Sequence, residues 1–165
     1  MKKNVLMYFD LITAIQTVQE VDELSLELDT LTSTLFKSEK MTLEKALSSV
    51  RTTSKDMIME IFSKNNLDLT NKETVRDFLD TLKDLIKKFK VIKLILAFEP
   101  SQKTIENIHE FVSENIGVGY VLDIEKDERA LAGSVVIFNG KYNDFTLRKS
   151  LEETFKEKRG QILNY

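Results

Sequence analysis

Residues 91–98, VIKLILAF, read as a β-strand, and the reading of the whole chain turns on them. The run is apolar apart from Lys93, includes the β-branched Val91, Ile92 and Ile95, and is bounded two residues later by Pro100. A short β-branched run closed by a breaker predicts a strand buried on both faces. It is the first such run, and what precedes it reads as helix.

Downstream, a fourth helix should place Ile105, Ile108, Phe111 and Val112 inward and stop near Gly117. A second strand is expected over 119–126, then a turn of Asp127, Glu128 and Arg129, then a third strand over about 132–139. Asn139-Gly140 supplies turn chemistry. Asp144 reads as the N-cap of a last helix carrying Phe145, Leu147, Leu151 and Phe155. The tail, 161–165, reads as loose. The order β-α-β-β-α predicts a three-stranded sheet in an α+β chain.

Upstream, apolar residues recur at Val5, Phe9, Ile12, Ile15, Val18, Val21, Leu24, Leu28, Leu31 and Leu35, the pattern of one long helix. The last five are spaced 3, 4, 3, 4, which is the seam of a helix packed on another helix. Two readings stay open: the seam folds back on this chain, or Leu24, Leu28, Leu31 and Leu35 meet a partner. Thr42 should cap a second helix with Leu43, Leu47, Val50, Met57 or Ile58, Ile61 and Phe62 inward, interrupted near 52–54, and Asn65 or Asn66 should end it. Thr70 and Glu73 form a T-x-x-E box opening a third helix, whose stripe is Val75, Phe78, Leu79, Leu82, Leu85, Ile86 and Phe89. The expected division is 1–68, a helical arm or hairpin, and 69–165, the α/β domain.

The 165 residues carry 24 Lys and Arg against 27 Asp and Glu, a net charge of −3. Residues 1–70 hold 8 basic and 11 acidic side chains, so the acidity lies in the arm. That balance argues against nucleic acid as the main partner. With no cysteine, neither a disulfide framework nor a thiolate zinc site is available, which fits a reducing, cytoplasmic setting. Asp10 breaks the leading apolar run, so it does not read as a signal peptide. No stretch approaches the roughly twenty apolar residues of a membrane span.

Chemistry is sparse. His109 is the only histidine and reads as a partly exposed structural residue on the fourth helix. Asp123, Glu125, Asp127 and Glu128 could suggest a hard-cation site, but Asp123 and Glu125 alternate with Leu122 and Ile124, as the solvent face of a strand does. Lys87, Lys88, Lys90 and Lys93 cluster where the third helix ends, where cations suit the helix dipole; a phosphate or acidic-partner site is the other reading. Neither phosphate-loop pattern occurs, and Gly117-x-Gly119 lacks the third glycine. No enzyme signature, metal site or cofactor site is expected.

VIKLILAFEPS, a helix, and LAGSVVIFNGKYNDFTLRKSL together resemble the C-terminal region of the delta subunit of bacterial F-type ATP synthases, the counterpart of the oligomycin-sensitivity-conferring protein. In that family an apolar strand ends in a small residue and Ala, here Leu96-Ala97. Gly-Gly precedes a later strand, here Ala132-Gly133. An Asp-x-Ser-x-Arg-x-x-Leu pattern follows, here Asp144, Thr146, Arg148 and Leu151. The resemblance covers about 79–158. The family opens with a compact multi-helix bundle that binds the alpha subunits, whereas the first seventy residues here read as one long and one interrupted helix.

The resemblance implies a stator subunit without an active site or cofactor. Its partners would be the peripheral-stalk b subunit and the alpha subunits of the catalytic head, and it would support proton-driven ATP synthesis. It implies attachment to the membrane through the complex and no direct insertion. Leu24, Leu28, Leu31, Leu35, Leu147 and Phe155 are the candidate partner contacts. The alternative is an α/β interaction or regulatory module with a helical dimerisation arm.

Overall fold

The computed structural model describes residues 7–37 and 41–162, with side chains described as far as Lys156. Val5, at the head of the expected first helix, and residues 163–165 of the expected tail lie outside the described residues. The fold is α+β: helices first, then a sheet-containing part. The chain forms two compact units, Met1–Phe89 and Lys90–Tyr165.

In the helical unit the expected long first helix is two helices, α1 (Phe9–Ala14) and α2 (Val18–Phe36). Ile15 turns extended between them, and Thr17 caps α2. The Thr17 hydroxyl accepts from Glu20 N at 3.3 Å, and the Glu20 carboxylate accepts from the amides of Gln16 and Thr17 at 2.7 and 3.1 Å. Such a reciprocal cap is worth about 1 kcal/mol, enough to choose where a continuous apolar pattern breaks.

The seam of α2 folds back. Leu24, Leu28, Leu31 and Leu35 are buried, each burial contributing roughly 1.5–3 kcal/mol. They are core, which takes the fold-back reading of the two and removes Leu24, Leu28, Leu31 and Leu35 as partner contacts. α2 packs against α5 (Lys72–Ile86). A Lys83–Asp29 ion pair at 2.7 Å and the Arg76 guanidinium, 4.3 Å over the Phe36 ring, flank that packing. Between them in the chain lie α3 (Leu43–Ala46), a 3₁₀ turn at Leu47–Ser49, and α4 (Thr52–Lys64). Thr42 stands at the cap of α3 without a side-chain capping bond. The interruption falls at Val50 and Arg51, so residues 52–54 open α4, and Ile58 rather than Met57 is buried. Asn66, at φ 50°, follows the end of α4.

Asn71, not Thr70, caps α5: its side-chain oxygen accepts from Glu73 N and Thr74 N, while Thr70 is bound to the Asp68 carboxylate. α5 buries Val75, Phe78, Leu79, Leu82 and Ile86. Phe78 also stacks with Tyr8 and meets Phe62 edge-on, at centroid distances of 5.2 and 4.7 Å. α5 therefore belongs with the helices, and the division falls after Phe89 instead of after residue 68.

The sheet unit runs β1 (Lys90–Leu96), α6 (Gln102–Asn115), β2 (Tyr120–Lys126), a 3₁₀ turn (Glu128–Ala130), β3 (Ser134–Phe138), β4 (Lys141–Asp144) and α7 (Leu147–Ile162). The sheet has four strands, not three, in the order β2-β1-β3-β4, with β1 and β2 parallel and the other pairs antiparallel. Asn139 and Gly140, at φ 49° and 72°, make a two-residue hairpin that pairs Phe138 with Lys141 and creates β4.

β1 is not buried evenly on both faces. Ile92, Leu94 and Leu96 are buried while Val91 is half exposed, a period-two alternation. Ile92, Leu94, Leu122 and Val112 form the core, with Ile105 and Ile108 of α6 packed on it. α6 is rotated from the expected setting: Phe111 is exposed and His109 is buried. Ile105, Ile108, His109 and Val112 follow the i, i+3, i+4, i+7 spacing of one face, and Phe111 falls outside it. Backbone helicity continues through Gln161 and Ile162, so α7 takes in the start of the expected loose tail.

Candidate functional site

The positions that carry the family resemblance meet at one junction in the sheet unit. Ala97 N, just past β1, donates to Gly133 O at 3.4 Å. Gly133 adopts φ +82°, and a Cβ there would lie 2.3 Å from the carbonyl oxygen of Phe145. Phe145 N donates to Ser134 O and Leu147 N to Ala132 O, both at 2.9 Å, so the chain leaving β4 runs against the chain entering β3. Glycine is required there by both conformation and space.

Asp144 ends β4 and is not the helix cap. One carboxylate oxygen accepts from Thr146 Oγ1 at 2.7 Å and from Thr146 N at 2.9 Å. Those bonds, the hydroxyl's first, hold the Asp144 carboxyl below the ordinary aspartate value. Thr146 is buried, and its Oγ1 accepts from Lys149 N at 3.3 Å, which makes Thr146 the cap of α7. Asp144 acts on the helix indirectly, by accepting the hydroxyl's hydrogen bond and so turning an oxygen lone pair toward Lys149 N. Arg148 and Leu151 lie beyond the junction on α7 itself.

α7 leaves this junction uncovered. Every residue from Leu147 to Lys156 is exposed. Leu147, Leu151 and Phe155, at 45%, 39% and 63% exposure, recur every four residues and form an apolar stripe. Phe145, before the helix, is also exposed. An amphipathic helix usually gains its stability by burying such a stripe, and over residues 147–156 this one is left open.

Next to the junction, Leu131 adopts φ 65° and ψ −51°, and Ala132 N donates to Ala130 O at 2.8 Å. This is a γ-turn of the strained, positive-φ kind, with an exposed leucine at its tip. Nothing in the sequence marks it, because leucine has no preference for that conformation.

Most of the remaining candidates have partners within the chain. His109 Nε2 lies 3.1 Å from Tyr120 O and ties α6 to β2; it is buried, not partly exposed. Glu125 pairs with Lys93 at 2.8 Å, Glu128 with Lys126 at 2.7 Å and Asp127 with Arg129 at 2.9 Å. Among the described residues, no group of three or more His, Cys, Asp or Glu is placed to hold a metal ion. Lys87 lies 4.0 Å from Asp84, and Lys90 sits 5.4 Å from the centre of the Tyr120 ring. No helix among the described residues is long and apolar enough to cross a membrane.

The fold and this surface define an α+β chain whose sheet unit ends in an uncovered amphipathic helix. No protein-family model matches the chain, and no curated protein matches it significantly.

Proposed function

We propose that this chain is a stator subunit of an F-type ATP synthase, linking the peripheral stalk to the catalytic head and lacking an active site of its own. One observation carries the reading. Ala97, Gly133, Asp144 and Thr146, which bear the resemblance to the C-terminal region of the delta family, interlock into one junction that launches an uncovered amphipathic helix. Leu147, Leu151 and Phe155 would lie along the stalk b subunit, helix on helix. The alpha subunits of the head would be held by the helical unit. Attachment to the membrane would be peripheral, on the cytoplasmic side, through the complex.

Tagged protein, purified from gently solubilised membranes, should bring down alpha, beta and b subunits, and deleting its gene should lower proton-driven ATP synthesis. Recovery of the tagged chain alone, with ATP synthesis unchanged in the deletion strain, would overturn the proposal. The alternative of a dimerisation arm gains no support from the seam of α2, because that seam is core.

A further inference from the structure

Asn139 and Gly140 are the two residues of the β3–β4 turn, and both are exposed. Neither the Asn139 carboxamide nor the Gly140 amide nitrogen has a hydrogen-bond partner among the described residues. A Cβ placed on Gly140 would meet nothing within 4 Å, so the space beside that nitrogen is open. Other asparagines are held. Asn65 and Asn115 donate their carboxamides to Ile61 O and Phe111 O, both at 2.8 Å, and Asn71 directs its oxygen to the cap of α5. Leu67 N, which follows Asn66, donates to Phe62 O at 3.0 Å. Every asparagine but Asn139 is also followed by a residue with a side chain, which crowds the next amide nitrogen as glycine does not.

We propose that Asn139-Gly140 is a self-modification site, where the folded chain converts asparagine to isoaspartate and aspartate without an enzyme. The Gly140 amide nitrogen loses its proton to solvent and attacks Asn139 Cγ. A new N–Cγ bond forms, the Cγ–Nδ2 bond breaks, and the departing nitrogen takes a proton from water and leaves as ammonia. The product is a five-membered succinimide. Water then opens the ring. Addition at Cγ gives an aspartate in the ordinary chain; addition at the backbone carbonyl carbon gives isoaspartate, whose chain runs through Cβ and Cγ. Water enters and ammonia leaves, and nothing is oxidised or reduced.

The consequence follows from the register. A two-residue turn pairs Phe138 with Lys141, and isoaspartate puts an extra backbone atom into that turn, which no longer matches the pairing. β4 is an edge strand of four residues held by β3 alone, so it is the element that lets go. Its far end is Asp144, which orients the cap of α7, so a change at the turn is passed to the start of that helix. The chemistry needs no partner and does not rest on the stator reading.

Purified full chain, held for several days in mildly alkaline buffer at physiological temperature, tests the proposal. Isoaspartyl methyltransferase with a labelled methyl donor counts isoaspartate, and peptide mapping by mass spectrometry places it. Isoaspartate should accumulate at residue 139 ahead of every other asparagine, in protein that circular dichroism shows to be folded. Asn139→Gly keeps a pair suited to the turn and has no carboxamide, so it should take up no label there. Aged wild type should show a lower urea midpoint and faster amide exchange in β3 and β4 than fresh protein, while aged Asn139→Gly should match its own fresh sample. Folded wild type without isoaspartate at residue 139 overturns the proposal, and so does label spread evenly over the asparagines. Modification at residue 139 with midpoint and amide exchange unchanged overturns the release of β4.

Discussion

The carbonyl oxygen of Phe145 occupies the space that a side chain at Gly133 would need, 2.3 Å from where a Cβ would stand. Because the obstructing atom belongs to the backbone, no rotamer change relieves it. Gly133→Ala should therefore cost more than the roughly 1–2 kcal/mol of a positive φ alone, about 3 kcal/mol in all. Gly140 also has positive φ but open space around it, so Gly140→Ala should cost only the conformational part. Urea unfolding of both variants separates the two contributions. Equal losses would mean that the approach at Phe145 carries no energy.

Thr146 caps α7 through a hydroxyl that Asp144 orients. Thr146→Ala should lower stability by about 0.5–2 kcal/mol. The Asp144 carboxyl is held below its ordinary value of 3.8, so its contribution is present above that pH and lost as the pH falls through the lower, folded value. Asp144→Asn should flatten this acid limb in a series of unfolding curves from neutral pH downward. An unchanged limb would show that the carboxylate does not orient the cap.

Glu27 lies in the helical unit with its side chain 14% exposed. Burial pushes its carboxyl up, but hydrogen bonds from Arg51 and Ser54 outweigh burial and hold it below the ordinary glutamate value of 4.5. Its contribution is present above 4.5 and lost as the pH falls through the folded value. Arg51→Ala removes the largest favourable contact and should cost about 1–3 kcal/mol at neutral pH. It should also raise the Glu27 pKa, read by carboxyl NMR titration; a pKa that stays put would assign the depression to Ser54.

The α+β order was legible because 91–98 and the helical stripes carry strong apolar periodicity. The fourth strand was not, since Lys141, Tyr142 and Asn143 show no apolar alternation and only the Asn139-Gly140 turn hinted at it. The T-x-x-E pattern at Thr17–Glu20 could have located the break between α1 and α2, but the apolar repeat runs straight through it. Thr70–Glu73 offers the same pattern without the cap, because Asp68 takes the threonine and leaves Asn71 to face the helix. Gly133 reads from sequence as a place of close approach; that Phe145 is what approaches follows only from the β3–β4 pairing. Leu147 and Phe155 read as candidate contacts by the same periodicity that marked Leu24 to Leu35, and only tertiary packing separates the open stripe from the buried one.

Leu131 holds positive φ without a glycine's freedom, a strain of about 1–3 kcal/mol. Leu131→Gly should raise the thermal midpoint, because its exposed side chain loses little packing on removal. A lowered midpoint would mean that the leucine side chain, not its backbone, decides the stability of the turn.

Leu151 is the centre of the α7 stripe and is 39% exposed. Leu151→Ser removes apolar surface that the chain does not itself bury to any depth, so its unfolding free energy should stay within about 0.5 kcal/mol of wild type. The same change removes the middle contact of any helix lying along the stripe, and interface contacts at such a centre commonly carry about 1–2 kcal/mol or more. If the chain is the stator subunit proposed above, stability and capture should therefore separate: an unchanged denaturation curve beside a roughly five- to thirtyfold loss of b-subunit recovery from membranes, about 1–2 kcal/mol of binding. Ser150→Ala, one residue before Leu151 and off the stripe, serves as the matched surface control and should leave both measurements unchanged. Loss of stability in Leu151→Ser would place the leucine in this chain's own core; full recovery of the b subunit with the serine variant would remove α7 from the docking surface.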